Sequence, residues 1–102
     1  MARPRPRRRE RDTSGPLADF GGFIAARRRT LELTQLDVAD LADVGVSSVR
    51  NLEAGRTSPT LAVALRILDA LGLTLVSMPH TDARTLTGTT VELRASKPGN
   101  DD

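Results

Sequence analysis

The sequence predicts an all-α bundle of four short helices followed by one β-strand. Three observations support this fold class. Of the 39 hydrophobic residues in a chain of 102, 32 lie between positions 17 and 78, which is enough for one small core. Within that stretch apolar residues recur three, four and seven positions apart, as on the buried face of a helix. Residues 73–78, bounded by Gly72 and Pro79, instead have the length and composition of a strand.

The two ends of the chain carry few apolar residues and frame a predicted domain over residues 17–78. Residues 1–16 are rich in Pro and Arg and are predicted to be a disordered arm, and residues 79–102 a flexible tail. Residues 1–29 have a net charge of +6 and residues 30–102 a net charge of −4. This asymmetry favours a polyanionic partner, nucleic acid before membrane, over the alternative of a merely solvated arm.

The first helix is predicted over residues 17–31 from its apolar face. Gly21 and Gly22 weaken it, and we expect them to let another backbone approach. Arg27–Arg29 lie near its C-terminal end, where cations suit the helix dipole. These arginines form either a solvated face or a phosphate contact.

The second and third helices are predicted over residues 35–42 and 46–53, with a break at 43–45. Thr34 is a good N-cap for the second helix, and Asp37 supplies an acid in its first turn. The third helix turns two apolar residues inward and leaves polar residues outward. The two helices are therefore short, close in sequence and amphipathic.

A fourth helix is predicted from about residue 60 to residue 71, with Ser58 or Thr60 as its N-cap. The strand at 73–78 has no partner within the core, and its unpaired backbone groups need one. We expect a second copy of the chain to supply it, in an intermolecular two-stranded sheet. The alternative is a hairpin with residues 89–94, which also alternate. The residues expected to form the dimer contact are Leu73, Leu75, Val76 and Met78.

Two short helices joined by a three-residue turn, the second with polar residues outward, form a helix-turn-helix arrangement. In such a pair the second helix enters the major groove and its N-terminal residues reach base edges, while the first helix crosses the phosphate backbone. Thr34 and Gln35, at the start of the predicted helix over 35–42, suit the phosphate contacts. The residues of the predicted helix over 46–53 that suit base contacts are Ser47, Ser48, Arg50 and Asn51.

Further residues at fixed spacings extend this pattern, namely Leu33-Thr34-Gln35, Val38-Ala39, Val44, Ser48-Val49, Leu52-Glu53-x-Gly55-Arg56, Pro59 and Leu68-x-x-Leu71-Gly72. Together they resemble the Cro/C1-type (Xre) repressor family over about residues 20–73. The segments ARRRTLELTQ and LGLTLVSMP resemble its HipB-like antitoxin subgroup. The resemblance implies a lambda-repressor-like bundle, a dimer formed through the C-terminal strand, a palindromic operator and a HipA-like kinase toxin as partner.

Carried over by position, the resemblance implies that Gln35 holds a phosphate at the start of the second helix. It implies that Arg56 and Thr57 grip the next phosphates. The third-helix residues that it places against bases and phosphates are Gly45, Val46, Ser47, Ser48, Arg50 and Asn51.

The sequence departs from the family pattern at four positions. Glu32 and Asp43 stand where the family usually has Gly, and Asp tolerates the left-handed backbone that the turn needs. Gly45 and Val46 replace the polar residues usual at the tip of the recognition helix. They offer only a backbone N–H and an apolar contact, for example with a thymine methyl.

The composition argues against catalysis and metal binding. The chain has no Cys and one His, His80, so it lacks the material for a metal cluster or a catalytic triad. Glu53 is interpreted as structural, orienting the loop or pairing with a nearby Arg, and not as a catalytic acid. We expect no enzyme activity, no cofactor and no membrane span, and a cytoplasmic, nucleoid-associated protein.

The sequence therefore predicts a DNA-binding repressor that is also the antitoxin of a HipBA-like module. It would bind a palindromic operator as a homodimer and regulate its own operon. One alternative is a stand-alone phage-type or metabolic regulator of the Xre family. Another is an interaction module whose main role is to inhibit a partner enzyme.

Overall fold

The computed structural model describes residues 16–56 and 58–95. In these residues the chain forms five helices: α1 (Pro16–Thr30), α2 (Gln35–Ala42), α3 (Val46–Ala54), α4 (Leu61–Ala70) and α5 (His80–Ala83). The first four confirm the predicted helices to within a residue or two at each end. The single turn of α5 was not predicted. The predicted arm, apart from Pro16, the end of the tail and Thr57 lie outside the described residues.

The first four helices enclose one core. α1 packs against α3, and α2 packs against both α3 and α4. Every one of these helices contributes at least one side chain that is almost completely buried. The largest of those side chains are Ile24, Val38, Val49, Leu52 and Ile67, together with Leu71 just after α4. The bundle is thus held by apolar burial on the helical period that the sequence predicted.

α1, α2 and α3 each end in a residue with left-handed backbone, and two of these residues are not glycine. Glu32 after α1 has φ 61° and Asp43 after α2 has φ 59°. In both turns the next N–H bonds back to a carbonyl five residues earlier, from Leu33 to Arg28 and from Val44 to Ala39, at 3.1 and 3.0 Å. The prediction that Asp43 would accept this conformation is confirmed.

Gly21 marks the closest approach between α1 and α3. A Cβ at position 21 would lie 2.4 Å from the carbonyl oxygen of Leu52 and 2.5 Å from that of Glu53. At Gly22 such an atom would meet nothing within 4 Å. The expectation of a close backbone approach therefore holds for the first glycine of the pair and not for the second.

The predicted strand over 73–78 is not formed in the described chain, which has no β-strand at all. A strand is defined by its ladder, and the backbone groups of 74–78 find no partner among the described residues. The alternative partner, 89–94, lies across a cavity of about 530 Å³ that both segments line. Because no backbone hydrogen bond joins them, the hairpin is absent as well.

The four residues expected to form the dimer contact differ in their surroundings. Leu73 packs against the core of its own chain, and Met78 is half-buried. Leu75 and Val76 are exposed by 46% and 64%. The pairing of two copies through this segment is accordingly not supported by the fold itself and is taken up below as a proposal.

Candidate nucleic-acid interface

The turn between α2 and α3 fixes the relative position of the two helices. It consists of residues 43–45, with Val44 packed against the core while Asp43 and Gly45 are exposed. Arg66 of α4 donates from Nη1 to the carbonyl oxygen of Asp43 at 3.4 Å. A short, packed turn of this kind holds α3 at a fixed angle to α2.

The N-terminus of α2 is closed by a reciprocal capping box. The Asp37 N–H donates to Thr34 Oγ1 at 3.0 Å, and the Thr34 N–H donates to Asp37 Oδ2 at 2.9 Å. The backbone N–H groups of Gln35 and Leu36 have no partner among the described residues. They form the positive end of the helix, the kind of group that binds a phosphate oxygen.

The outward face of α3 carries four of the ten predicted DNA contacts. Val49 and Leu52 are 0% and 1% exposed, so the opposite face is held in the core. Ser47 and Arg50 are exposed, and Ser48 and Asn51 are half-buried. The helix therefore presents a hydroxyl, amide and guanidinium surface of the types that read base edges.

The N-terminal tip of α3 lacks the polar side chains that are usual there in the family that the sequence resembles. Gly45 is the N-cap, is exposed, and supplies no side-chain cap. The N–H groups of Val46 and Ser47 find no acceptor among the described residues. Val46 is half-buried and packs against the core, so part of its side chain serves the fold.

The C-terminal end of α3 lies against the start of α1. A Cβ at Gly55 would lie 2.9 Å from the Cα of Ala18. Arg56, the next residue, is exposed, and its backbone N–H donates to the Asn51 carbonyl at 3.2 Å. Of the two predicted phosphate-gripping residues, Arg56 is thus placed at the surface, and Thr57 lies outside the described residues.

A hydrogen-bonded cluster ties the two helices of the motif to α1. The carboxylate of Glu53 accepts Arg28 Nε at 2.7 Å and Arg28 Nη2 at 3.0 Å. It also accepts Gln35 Nε2 at 2.9 Å. Arg28 Nη1 donates to the Leu33 carbonyl at 2.9 Å, which fixes the loop between α1 and α2. The hydrogen bonds from Arg28 to Glu53 raise the pKa of the guanidinium above its ordinary value, so the guanidinium stays charged.

The pairing of Glu53 with an arginine confirms the structural interpretation made from the sequence. The contact with Gln35 was missed, although one signal for it exists. An acidic side chain in the last turn of a helix opposes the helix dipole, so its presence there indicates that partners compensate for it.

The arginine run at the end of α1 is divided between two environments. Arg28 belongs to the Glu53 cluster, and Arg27 donates from Nε to the Leu71 carbonyl at 2.8 Å, joining the ends of α1 and α4. Arg29 is exposed. Two of the three arginines therefore serve the fold, and one remains available at the surface.

In the described parts of the chain, no group of three or more His, Asp or Glu side chains is arranged to hold a metal ion. No helix there combines the length and the apolar character needed to cross a membrane.

The helix pair, its packed turn and the polar face of α3 define a helix-turn-helix domain. The family model HTH_3, described as Helix-turn-helix, matches residues 24–77. The chain belongs to this helix-turn-helix family, of the Cro/C1 (Xre) type, whose members are DNA-binding transcription regulators and typically not enzymes. No curated protein matches the chain.

Among solved structures, the chain is similar to the crystal structure of the restriction-modification controller protein C.AhdI from Aeromonas hydrophila. The sequences are 28% identical and the TM-score is 0.54. The match covers 57% of this chain and 88% of the controller protein. The helical bundle is therefore shared with this controller protein.

Proposed function

We propose that this protein is a transcriptional repressor that binds a palindromic operator as a homodimer. The observation that carries the proposal is the division of α3 into two faces. Its apolar residues Val49 and Leu52 are buried, and its outward face offers Ser47, Arg50 and Asn51 to a partner. Arg suits guanine and Asn suits adenine in the major groove, so these two side chains would specify sequence.

Backbone contacts would position the dimer on the duplex. The unpartnered N–H groups at the start of α2, with the Gln35 amide beside them, suit one phosphate. Arg56, together with Thr57, suits the next phosphates along the strand. Such contacts fix orientation and carry no sequence information, so they would act on every duplex alike.

Selection of bound DNA from a random library tests the proposal most directly. A palindromic consensus is expected, with half-sites about 10 base pairs, or 34–36 Å, apart. Recovery of no consensus, or of a single half-site, would contradict binding as a two-fold dimer.

Two substitutions test which residues read the operator. Arg50→Ala or Asn51→Ala should weaken binding to the selected sequence by about 1–3 kcal/mol and relax its preference at one base pair. Arg84→Ala is the matched control, because Arg84 is an exposed arginine just after α5, outside the helix-turn-helix pair. A gel-shift titration in which Arg50→Ala behaves like Arg84→Ala would remove Arg50 from the readout.

The arginine-rich arm is proposed to add contacts with DNA phosphates or a neighbouring minor groove. Five of the seven residues from Arg3 to Arg9 are arginine, a side chain that suits phosphate geometry. Deleting residues 1–11 should weaken binding to all sequences and flatten the plot of log affinity against log salt concentration. An unaltered slope would mean that the arm does not touch the DNA.

Three biological roles are candidates for such a repressor. The resemblance of ARRRTLELTQ and LGLTLVSMP to HipB-like antitoxins supports an antitoxin that autoregulates its operon and binds a HipA-like kinase. The similarity to a restriction-modification controller protein favours a regulator of that kind. The neighbouring genes distinguish the two: a kinase-like gene supports the first, and restriction and methyltransferase genes support the second. If neither kind of gene lies beside it, the remaining candidate is a stand-alone regulator of the Xre family.

A further inference from the structure

Three segments of the chain meet at one carboxylate, that of Glu53. Arg28 comes from the last turn of α1, Gln35 is the first residue of α2, and Glu53 lies in the last turn of α3. The side chains of Arg28 and Glu53 are 13% and 7% exposed, so the ion pair is largely removed from water. Gln35 is half-buried and lies at the edge of this cluster, at the N-terminus that faces a phosphate in the proposed function.

The carboxylate restricts what the Gln35 amide can present. The terminal torsion of a glutamine is broad, and its amide can place either the oxygen or the nitrogen toward a neighbour. An ionised carboxylate only accepts hydrogen bonds, so Glu53 selects the nitrogen and fixes it at 2.9 Å. One N–H of that nitrogen is then committed, and the direction of the second N–H is set by the first.

We propose that Glu53 is a positioning residue for DNA binding, which orients the free amide N–H of Gln35 for a phosphate of the duplex. This inference rests on the phosphate contact proposed above for Gln35. Arg28 completes the arrangement, because its positive guanidinium, which donates two hydrogen bonds to Glu53, balances the charge of that carboxylate. The acid can therefore stand beside the phosphate site without adding an uncompensated negative charge to it.

Charge and position predict opposite effects for one substitution, Glu53→Gln. Removing a negative charge makes the protein more attractive to DNA, so a purely structural Glu53 predicts equal or tighter binding by the folded variant. A positioning role predicts weaker binding, because an amide at position 53 can face Gln35 with either its oxygen or its nitrogen and so no longer fixes the Gln35 amide in one orientation. The sign of the change thus separates the two roles.

The experiment measures affinity for a mixed-sequence duplex of about 30 base pairs, three turns of B-DNA, at several salt concentrations. The proteins are the full chain and its variants Glu53→Gln, Gln35→Ala and the double variant. Glu92→Gln is the matched control, since it removes the same charge from an exposed glutamate in the C-terminal segment.

Gln35→Ala and Glu53→Gln should each bind about tenfold more weakly, and Gln35→Ala should leave the salt slope unchanged, because a neutral amide releases no counterion. The double variant should be no weaker than Gln35→Ala, because the two residues act through one contact. Glu92→Gln should bind as the unmodified chain or slightly more tightly. If Glu53→Gln behaves like Glu92→Gln while Gln35→Ala is weak, the positioning role falls and the phosphate contact stands. If Gln35→Ala also binds normally, both fall.

A measurement on the unmodified chain covers the case in which Glu53→Gln does not fold. The side-chain amide of Gln35 should give a ¹⁵N order parameter typical of a rigid group in the free protein. Fast reorientation of this amide would overturn the proposal, because nothing would then be positioned before DNA binds.

Discussion

Glu32 and Asp43 hold a left-handed backbone conformation without being glycine. The conformation brings Cβ close to the following carbonyl oxygen, which costs about 1–2 kcal/mol for most residues and less for Asp. Each residue is nevertheless held there by the hydrogen bonds that close its helix. Replacing either residue with glycine should therefore remove this strain and raise the free energy of unfolding.

We expect Glu32→Gly to raise the free energy of unfolding by about 1 kcal/mol, and Asp43→Gly to raise it by less. Ala26→Gly is the control, because Ala26 is exposed within α1 and glycine there should lower stability by about 1 kcal/mol. Urea denaturation gives the three values. A loss of stability in Glu32→Gly would mean that its side chain makes a contact worth more than the strain.

Asp37 links the α2 cap to pH. The backbone N–H of Thr34, and then the Thr34 side chain, hold the pKa of this carboxyl below its ordinary value of 3.8. Because the pKa is lower in the folded state, the contribution is fully present above pH 3.8 and is lost as pH falls through the folded-state value. Asp37→Asn should remove this part of the acid sensitivity from urea midpoints measured below pH 5, roughly the range in which carboxyls titrate. Asp40→Asn, which leaves the cap intact, should keep it.

Glu53 illustrates how far single residues can be read from the sequence. The sequence indicated that it would orient the loop or pair with a nearby arginine, and an arginine partner is found. The choice of Arg28 over Arg27 or Arg29 depends on the rotation of α1 about its own axis. The contact with Gln35 depends on where α2 begins relative to α3. Both are tertiary quantities that local patterns do not specify.

At the scale of helices, the crossing of α1 and α3 depends on the absence of one carbon atom. We expect Gly21→Ala to destabilise the fold by about 3 kcal/mol or more, because its Cβ would meet two backbone carbonyls that cannot move aside independently. Gly22→Ala, the adjacent control, should gain up to about 1 kcal/mol from helix propensity. Thermal unfolding followed by circular dichroism measures both changes. Equal effects at the two positions would contradict the close crossing.

The helices were predictable to the extent that their ends are local. Thr34 and Thr60 cap α2 and α4 through hydrogen bonds that span three residues, and such signals are legible in the sequence. The strand at 73–78 depends on a partner that composition cannot supply, and it is not formed within the described residues. The single turn of α5 has no apolar period, so nothing in the sequence pattern indicated it.

At the scale of the whole molecule, the segment after α4 leaves apolar side chains in water. Leu75 and Val76 are exposed beside the cavity that separates 73–78 from 89–94. The unpartnered backbone of 74–78 offers an edge to another chain. On these features we propose that two copies pair through 73–78, although one chain alone forms no strand there.

Val76→Asp should therefore shift the protein toward the monomer without unfolding it, because this side chain is 64% exposed in one chain. Thr87→Asp is the control, since it adds the same charge to an exposed residue outside the segment. Sedimentation velocity at several concentrations measures the change. A dimer that survives Val76→Asp would place the two-fold contact elsewhere.

The contact between Ala18 and Gly55 sets where the N-terminal arginines are attached to the fold. Ala18 lies beside Gly55, immediately after the final turn of α3. The fifteen residues before α1 can span at most about 50 Å, more than one turn of the duplex. If their arginines contact phosphates as proposed, the protein stays on the duplex while α3 leaves its groove, and it can search neighbouring sequence without diffusing away.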